Sequence, residues 1–214
     1  MGATRALVFD FNGTLSHDEP VLYAIYAELF AEHGRPLTET DYYGRLAGNT
    51  EEAIIGGWLG VDGDELEGLV DERIERYVRA ADGSTVPAAV REAVRYAAGR
   101  VPVGIVSGAY RREIEPVVEK AGLADVVAHI VAADDVAHGK PDPEGYLRMV
   151  GLLGDGLRPA EAVAFEDTEA GIASALGAGL RCIGVRGTLP DARLAAAESL
   201  VDAIDVELVR SLVG

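Results

Sequence analysis

Apolar and polar positions alternate in two different textures along this chain. Residues 3–10 (ATRALVFD) form a short apolar run that ends in an acid and leads into a turn at Gly13, the pattern of a buried strand entering a loop. From Ser16 to Ala81 the apolar positions instead recur at three and four. Leu22, Ile25, Tyr26, Leu29 and Phe30 predict one helix, stopped by Gly34 and Pro36. Thr38 opens an acidic capping pattern, TETD, ahead of Tyr42 and Leu46. Thr50 is placed to cap EEAIIGGWLG, and Leu66, Leu69, Val70, Ile74, Tyr77 and Val78 mark a fourth amphipathic helix.

Past Asp82-Gly83-Ser84 strands and helices alternate. Pro87 suits the first turn of a helix reaching about Ala98. Strands are predicted at 101–106, 126–132, 162–165 and 181–185, and helices at about 110–121, 142–152 and 168–178, with a last helix ending near Leu212. Such alternation implies right-handed crossovers and a doubly wound parallel sheet covered on both faces. The expectation is an α/β core domain made of residues 1–15 and 84–214, with an all-helical cap domain inserted over 16–83.

Composition narrows the function. Nineteen basic and 36 acidic side chains give a formal charge of −17. That argues against the basic stripe of a nucleic-acid binder and against attraction to anionic membranes. An anionic substrate then needs a local positive spot. The 49% of apolar residues excludes a disordered chain. Cys182 is the single cysteine, so there is no intramolecular disulfide and no cysteine-rich zinc site. The four histidines lack zinc-protease spacing, and no apolar run approaches a membrane span of about 18 residues. The start turns acidic too soon for a secretory signal, and Ala6 stands where a myristoylation pattern wants Ser or Thr. A cytoplasmic protein is expected, with neither nucleic-acid nor membrane partners.

Ligands of open parallel sheets bind beyond the carboxyl ends of the strands. The predicted strands deliver there Asp10-Phe11-Asn12-Gly13-Thr14, then Ser107-Gly108, then His138-Gly139-Lys140-Pro141, then Glu166-Asp167-Thr168. Singly these are ordinary turn formers, helix caps or solvated loops. Together, in this order, they put three carboxylates, a hydroxyl and an ammonium at one rim. Three carboxylates so close repel unless a cation joins them, and oxygen-only ligation suits Mg²⁺. Lys140 and Ser107 can hold the remaining oxygens of a phosphate. Asp10 is then the nucleophile, giving an aspartyl-phosphate.

The same residues carry a resemblance to the haloacid dehalogenase superfamily, in its phosphoglucomutase-like and phosphatase branch. That family's D-x-D-G-T motif stands here as Asp10 to Thr14, its strand-2 Ser/Thr as Ser107, its Lys before Pro as Lys140, and its E-D-S/T-x-x-G motif as Glu166 to Gly171. Spacings of 97, 33 and 26 residues between Asp10, Ser107, Lys140 and Glu166 fit a helical cap between motifs one and two. The resemblance covers essentially the whole chain. It implies a Rossmann-like core and a Mg²⁺-dependent phosphomonoesterase acting on a small phosphorylated metabolite. It further implies metal ligation by Asp10, Asp167, the Asn12 backbone carbonyl and, through a water, Glu166. Phosphate would be bound by Asn12, Gly13, Ser107, Gly108 and Lys140.

One position departs. Where the family's phosphatases carry a second Asp that protonates the leaving oxygen and later deprotonates water, this chain has Asn12. An amide donates a hydrogen bond but transfers no proton at pH 7. Three explanations stay open: a natural variant with a specialised substrate, a weak or dormant phosphate-binding protein, and an Asp-to-Asn change made to trap a complex. A sugar-phosphate mutase is the rival enzyme, although it too needs an acid–base group. The cap holds no lysine for the Schiff base of phosphonoacetaldehyde hydrolases, and Glu166-Asp167 argues against a dehalogenase. Arg45, between two cap helices, is a candidate for a second anionic or polyhydroxyl group. Arg111 and Arg112 are candidates for added positive potential, and His138 for a spare proton carrier. Trp58 and Cys182 read as core, and segments near 15–18 and 81–84 as paired hinges.

Overall fold

A computed structural model describes residues 3–214. Six strands, β1 (Ala6–Phe9), β2 (Val103–Val106), β3 (His129–Val131), β4 (Ala162–Glu166), β5 (Arg181–Val185) and β6 (Ser199–Val201), pair in parallel in the order β3-β2-β1-β4-β5-β6. Ten α-helical segments accompany them: α1 (Glu19–Glu32), α2 (Glu39–Asp41), α3 (Gly57–Leu59), α4 (Gly63–Ala80), α5 (Ala88–Ala98), α6 (Arg111–Lys120), α7 (Glu144–Leu153), α8 (Glu169–Gly177), α9 (Asp191–Leu194) and α10 (Val206–Val213). Every residue of β1, β2 and β4 is buried, as continuous apolar strands under helices on both faces must be. β1 has β2 on one side and β4 on the other, so the strand order reverses there and opens a crevice above its carboxyl end. No helix among the described residues is long and apolar enough to cross a membrane.

The described chain divides into two compact units, residues 3–17 with Gly83–Gly214, and Asp18–Asp82. Hydrogen bonds explain the first boundary: the His17 amide donates to the Thr85 carbonyl at 2.7 Å, and the Ser16 hydroxyl meets that of Thr85 at 2.9 Å. Within the helical unit, α1 packs on α4, and Leu29, Phe30, Ile74 and Tyr77 of these two helices are buried. Thr38 caps α2 as its sequence predicts, accepting from the Asp41 amide at 3.1 Å. The segment after Thr50 winds first as a π-helical turn, Glu52–Gly56, and ends at Gly60 in the left-handed conformation with φ +78°. This unit buries a polar knot: Arg73 pairs with Glu51, which also accepts from the Tyr26 hydroxyl at 2.9 Å, and Tyr77 donates to Asp18.

The C-terminal region holds two elements that the apolar pattern does not predict, α9 and β6. β6 is three residues long, too short for a period, and its place is fixed by Leu200 lying over Gly184 of β5, where a Cβ would come within 2.5 Å of it. The strand predicted at 126–132 is confined to 129–131, because Val126 and Val127 turn back to the Leu123 carbonyl at 3.1 Å. β3 is an edge strand, and Arg111 donates to its Ile130 carbonyl at 2.8 Å, which blunts the edge against further pairing.

Gly104 in β2 lets Met149 of α7 pack directly on the sheet, since a Cβ there would overlap the Met149 thioether. Gly104→Ala is expected to lower stability by about 1–3 kcal/mol, the cost of overpacking. Urea denaturation of the two proteins measures it.

Candidate active site

The loops that leave the carboxyl ends of β1, β2 and β4 meet at Lys140. Its ammonium lies 2.5 Å from Asp10 Oδ1, 2.6 Å from Glu166 Oε1 and 3.0 Å from the Val106 carbonyl. Those three acceptors match the three protons of an ammonium. Asp167, next to Glu166, accepts from the Thr14 hydroxyl at 3.2 Å. Asp10, Glu166 and Asp167 are all buried and offer carboxylate oxygens within 4.8 Å of one another.

Local sequence explains the convergence. The Asp10 amide continues the β1–β4 ladder by donating to Phe165 O at 3.0 Å, which sets Asp10 beside Glu166. The chain then folds back at Gly13, φ +73°, whose amide donates to Ser16 O at 2.8 Å. A Cβ at Gly13 would overlap the Asp167 carboxylate and come within 2.6 Å of Thr188 Oγ1, so only glycine fits. Gly171, in the first turn of α8, plays the matching part for Glu166, whose carboxylate occupies the space a Cβ would take. Thr168 caps that helix by accepting from the Gly171 amide at 3.1 Å. The spacing of the E-D-T-x-x-G sequence is thus a steric requirement.

Of the residues expected at the site, Asp10, Lys140, Glu166 and Asp167 are brought together, and Asn12 and Gly13 lie in the loop that frames them. Ser107 is buried at the end of β2, its hydroxyl accepting from the Ala109 amide at 3.0 Å, and Gly108 beside it is exposed. Arg45 lies in the helical unit, 3.6 Å from Asp41 and with its guanidinium over the Trp58 ring. Arg111 is engaged elsewhere, with Asp135 at 2.5 Å and Glu115 at 3.0 Å, so its charge is spent on the β3 edge. His138 is exposed and paired with Glu144 at 3.3 Å. Cys182 is buried, and that burial pushes its thiol well above the usual range. Two participants carried no sequence signal. Tyr146 donates to Glu166 Oε1 at 2.5 Å, and Thr188 flanks Gly13; a Tyr inside an amphipathic helix reads as core.

With all three carboxylates ionised, one ammonium beside them leaves two negative charges in excess. Burial raises the Glu166 carboxyl above the ordinary glutamate range; the Lys140 ammonium opposes this and the Asp10 charge adds to it. Burial works against the charge on Lys140, but Asp10 and Glu166 outweigh it and hold the ammonium above its usual range. Glu166 Oε2 is buried with no hydrogen-bond partner. An all-oxygen donor set with this charge excess fits a hard divalent cation such as Mg²⁺.

The chain resembles known proteins over most of its length. A family model described as a haloacid dehalogenase-like hydrolase matches residues 4–179. Validoxylamine A 7'-phosphate phosphatase of Streptomyces hygroscopicus subsp. limoneus is 31% identical over 203 residues, 92% of each chain. The phosphorylated carbohydrates phosphatase of Thermotoga maritima is 29% identical, over 96% of this chain and 94% of its own. The crystal structure of CbbY from Rhodobacter sphaeroides in complex with phosphate superposes with a TM-score of 0.82 at 25% identity, covering 96% of both chains.

Gly13→Ala is expected to destabilise the protein by about 2 kcal/mol or more. The left-handed backbone alone costs about 1–2 kcal/mol, and the displaced Asp167 adds to it. Thermal unfolding of the variant beside the parent measures the loss, and an unchanged Tm would show that the loop is free to refold.

Proposed function

The chain belongs to the haloacid dehalogenase-like hydrolases, and we propose that it cleaves the phosphate monoester of a small, carbohydrate-like metabolite through Asp10. One observation carries the reading: three buried carboxylates and one ammonium meet at the carboxyl end of a parallel sheet. The names of the two relatives, both phosphatases of phosphorylated small molecules, support the substrate class, as does the phosphate in the CbbY structure.

Asp10, Asp167 and the Asn12 backbone carbonyl would hold Mg²⁺, with Glu166 acting through a water. When bound, the cation supplies positive charge against the phosphoryl oxygens. Lys140 anchors Asp10 through Oδ1 and offsets its charge, which fixes the direction of the nucleophile. A carboxylate oxygen of Asp10 attacks phosphorus, and the bond to the leaving oxygen breaks with its electron pair. Water then attacks the aspartyl-phosphate, releasing inorganic phosphate and restoring Asp10. Ser107 and the amides around Gly13 and Gly108 orient the phosphate. The helical unit, with Arg45, is assigned to substrate choice.

Asn12 sets the limits of this reaction. It gives the leaving oxygen a hydrogen bond but no proton, and it takes none from the hydrolytic water. Positioned proton transfer is worth roughly 10²–10⁴-fold in rate. Acyl and aryl phosphates, whose leaving groups are stable as anions, therefore react faster with this chain than alkyl phosphates such as those of carbohydrates, which it cleaves slowly. The same residue favours a second reading, a dormant phosphate-binding protein, which the experiment below separates from the first.

The parent chain is expected to turn over slowly, to prefer an aryl over an alkyl phosphate, and to accumulate phospho-Asp10 detectable by intact-protein mass spectrometry. Asn12→Asp is expected to raise alkyl-phosphate hydrolysis by roughly 10²-fold or more. No gain in that variant, together with no phospho-Asp10 in the parent, would establish the dormant binder. Chelation of divalent ions is expected to abolish aryl-phosphate turnover, with recovery on adding Mg²⁺ but not Na⁺. Turnover that persists in chelator removes the metal from the scheme.

A further inference from the structure

Tyr146 stands on α7 inside the core, fully buried, yet its hydroxyl points at the acidic cluster. It donates to Glu166 Oε1 at 2.5 Å, the same oxygen that Lys140 reaches at 2.6 Å. The Lys140 ammonium also lies 5.7 Å from the centre of the Tyr146 ring. One oxygen of Glu166 thus has two donors, and the other, Oε2, has no hydrogen-bond partner although it is fully buried. The carboxylate is pinned over Gly171, where only a residue without Cβ leaves room. Neither oxygen can exchange places with the other while both donors hold Oε1.

We propose that Tyr146 is a positioning residue for divalent-cation binding: with Lys140 it holds Glu166 Oε1 and so fixes the orientation in which the Glu166 carboxylate stands beside Asp10 and Asp167. This rests on the cation-binding reading given above. A phenol donor suits the task. It is neutral, so it orients Glu166 without cancelling the negative charge that attracts a cation, whereas a second ammonium or guanidinium would cancel it. Burial and the neighbouring Glu166 and Asp10 charges keep the phenol protonated, well above the usual tyrosine range. Hydrogen-bond partners that orient a metal ligand typically change metal affinity 10–100-fold when removed.

The test uses the full chain and Tyr146→Phe, which keeps the ring and loses the donor. Isothermal calorimetry with MgCl₂ alone is expected to show Mg²⁺ bound by the parent and bound about 10–100-fold more weakly by the variant. With aryl phosphate at saturating Mg²⁺, KM is expected to stay within about threefold of the parent, since the phosphate oxygens meet other groups. In a Glu166→Gln background the same Tyr146→Phe change is expected to have little further effect on Mg²⁺ affinity, because its action runs through Glu166. Urea unfolding of Tyr146→Phe beside the parent checks that the isosteric variant is folded before its Mg²⁺ affinity is read. Equal Mg²⁺ affinity in parent and variant, or additive losses in the double variant, overturns the positioning role and leaves the cation reading intact. A parent that binds no Mg²⁺ overturns both.

Discussion

The Lys140 ammonium ties together three strand ends, and the geometry of the site follows from that tie. It bonds Asp10 after β1, the Val106 carbonyl of β2 and Glu166 at the end of β4. In a parallel sheet these ends all point the same way, so acidic residues that follow the strands are forced into one crevice. Isolated, such buried carboxylates would be strongly unfavourable, since a buried charge needs a partner. The ammonium offsets one charge and orders the others, and what remains is a net negative cluster that invites a cation.

Close packing then turns that electrostatic arrangement into a fixed one. Gly13 and Gly171 are each the sole residue type that fits beside Asp167 and Glu166. Both acids are thereby held against backbone, where a neighbouring side chain would push them apart. The stacked rings of Phe9 and Phe165, 4.9 Å apart beneath the crevice, couple β1 to β4 just below the residues that act. A rigid apolar floor under a small polar cluster is how catalytic groups are kept within tolerance of a reactive geometry.

The helical unit is built on different terms. Its interior mixes aromatic packing, with Tyr23, Tyr26 and Tyr42 in contact, and a buried Arg73–Glu51 pair. Such a pair adds little net stability, because desolvation offsets the attraction, yet removing either partner strands a charge. Two π-helical turns, Tyr42–Leu46 and Glu52–Gly56, replace regular helix in the segment that carries Arg45. Irregular turns of this kind often mark functional positions in helices.

The sequence by itself determined the order of strands and helices as far as β5, the parallel sheet and the four short motifs. Those features depend on local period and on topology rules that leave few alternatives: an apolar run ending in an acid, repeated along an alternating chain, has one rim on which to place its acids. It also exposed Asn12, because a missing proton carrier is a matter of residue identity. Tertiary structure alone decided the rest. Only packing shows that Lys140 has all three protons engaged, that Arg111 serves the β3 edge, and that Tyr146, core-like by its period on α7, turns its hydroxyl to Glu166. β6 was illegible for a related reason, since three residues carry no period and Leu200 is placed by the hollow above Gly184. Contacts between residues far apart in the chain leave no trace in local pattern, and it is these contacts that choose which of several plausible side chains reaches the site.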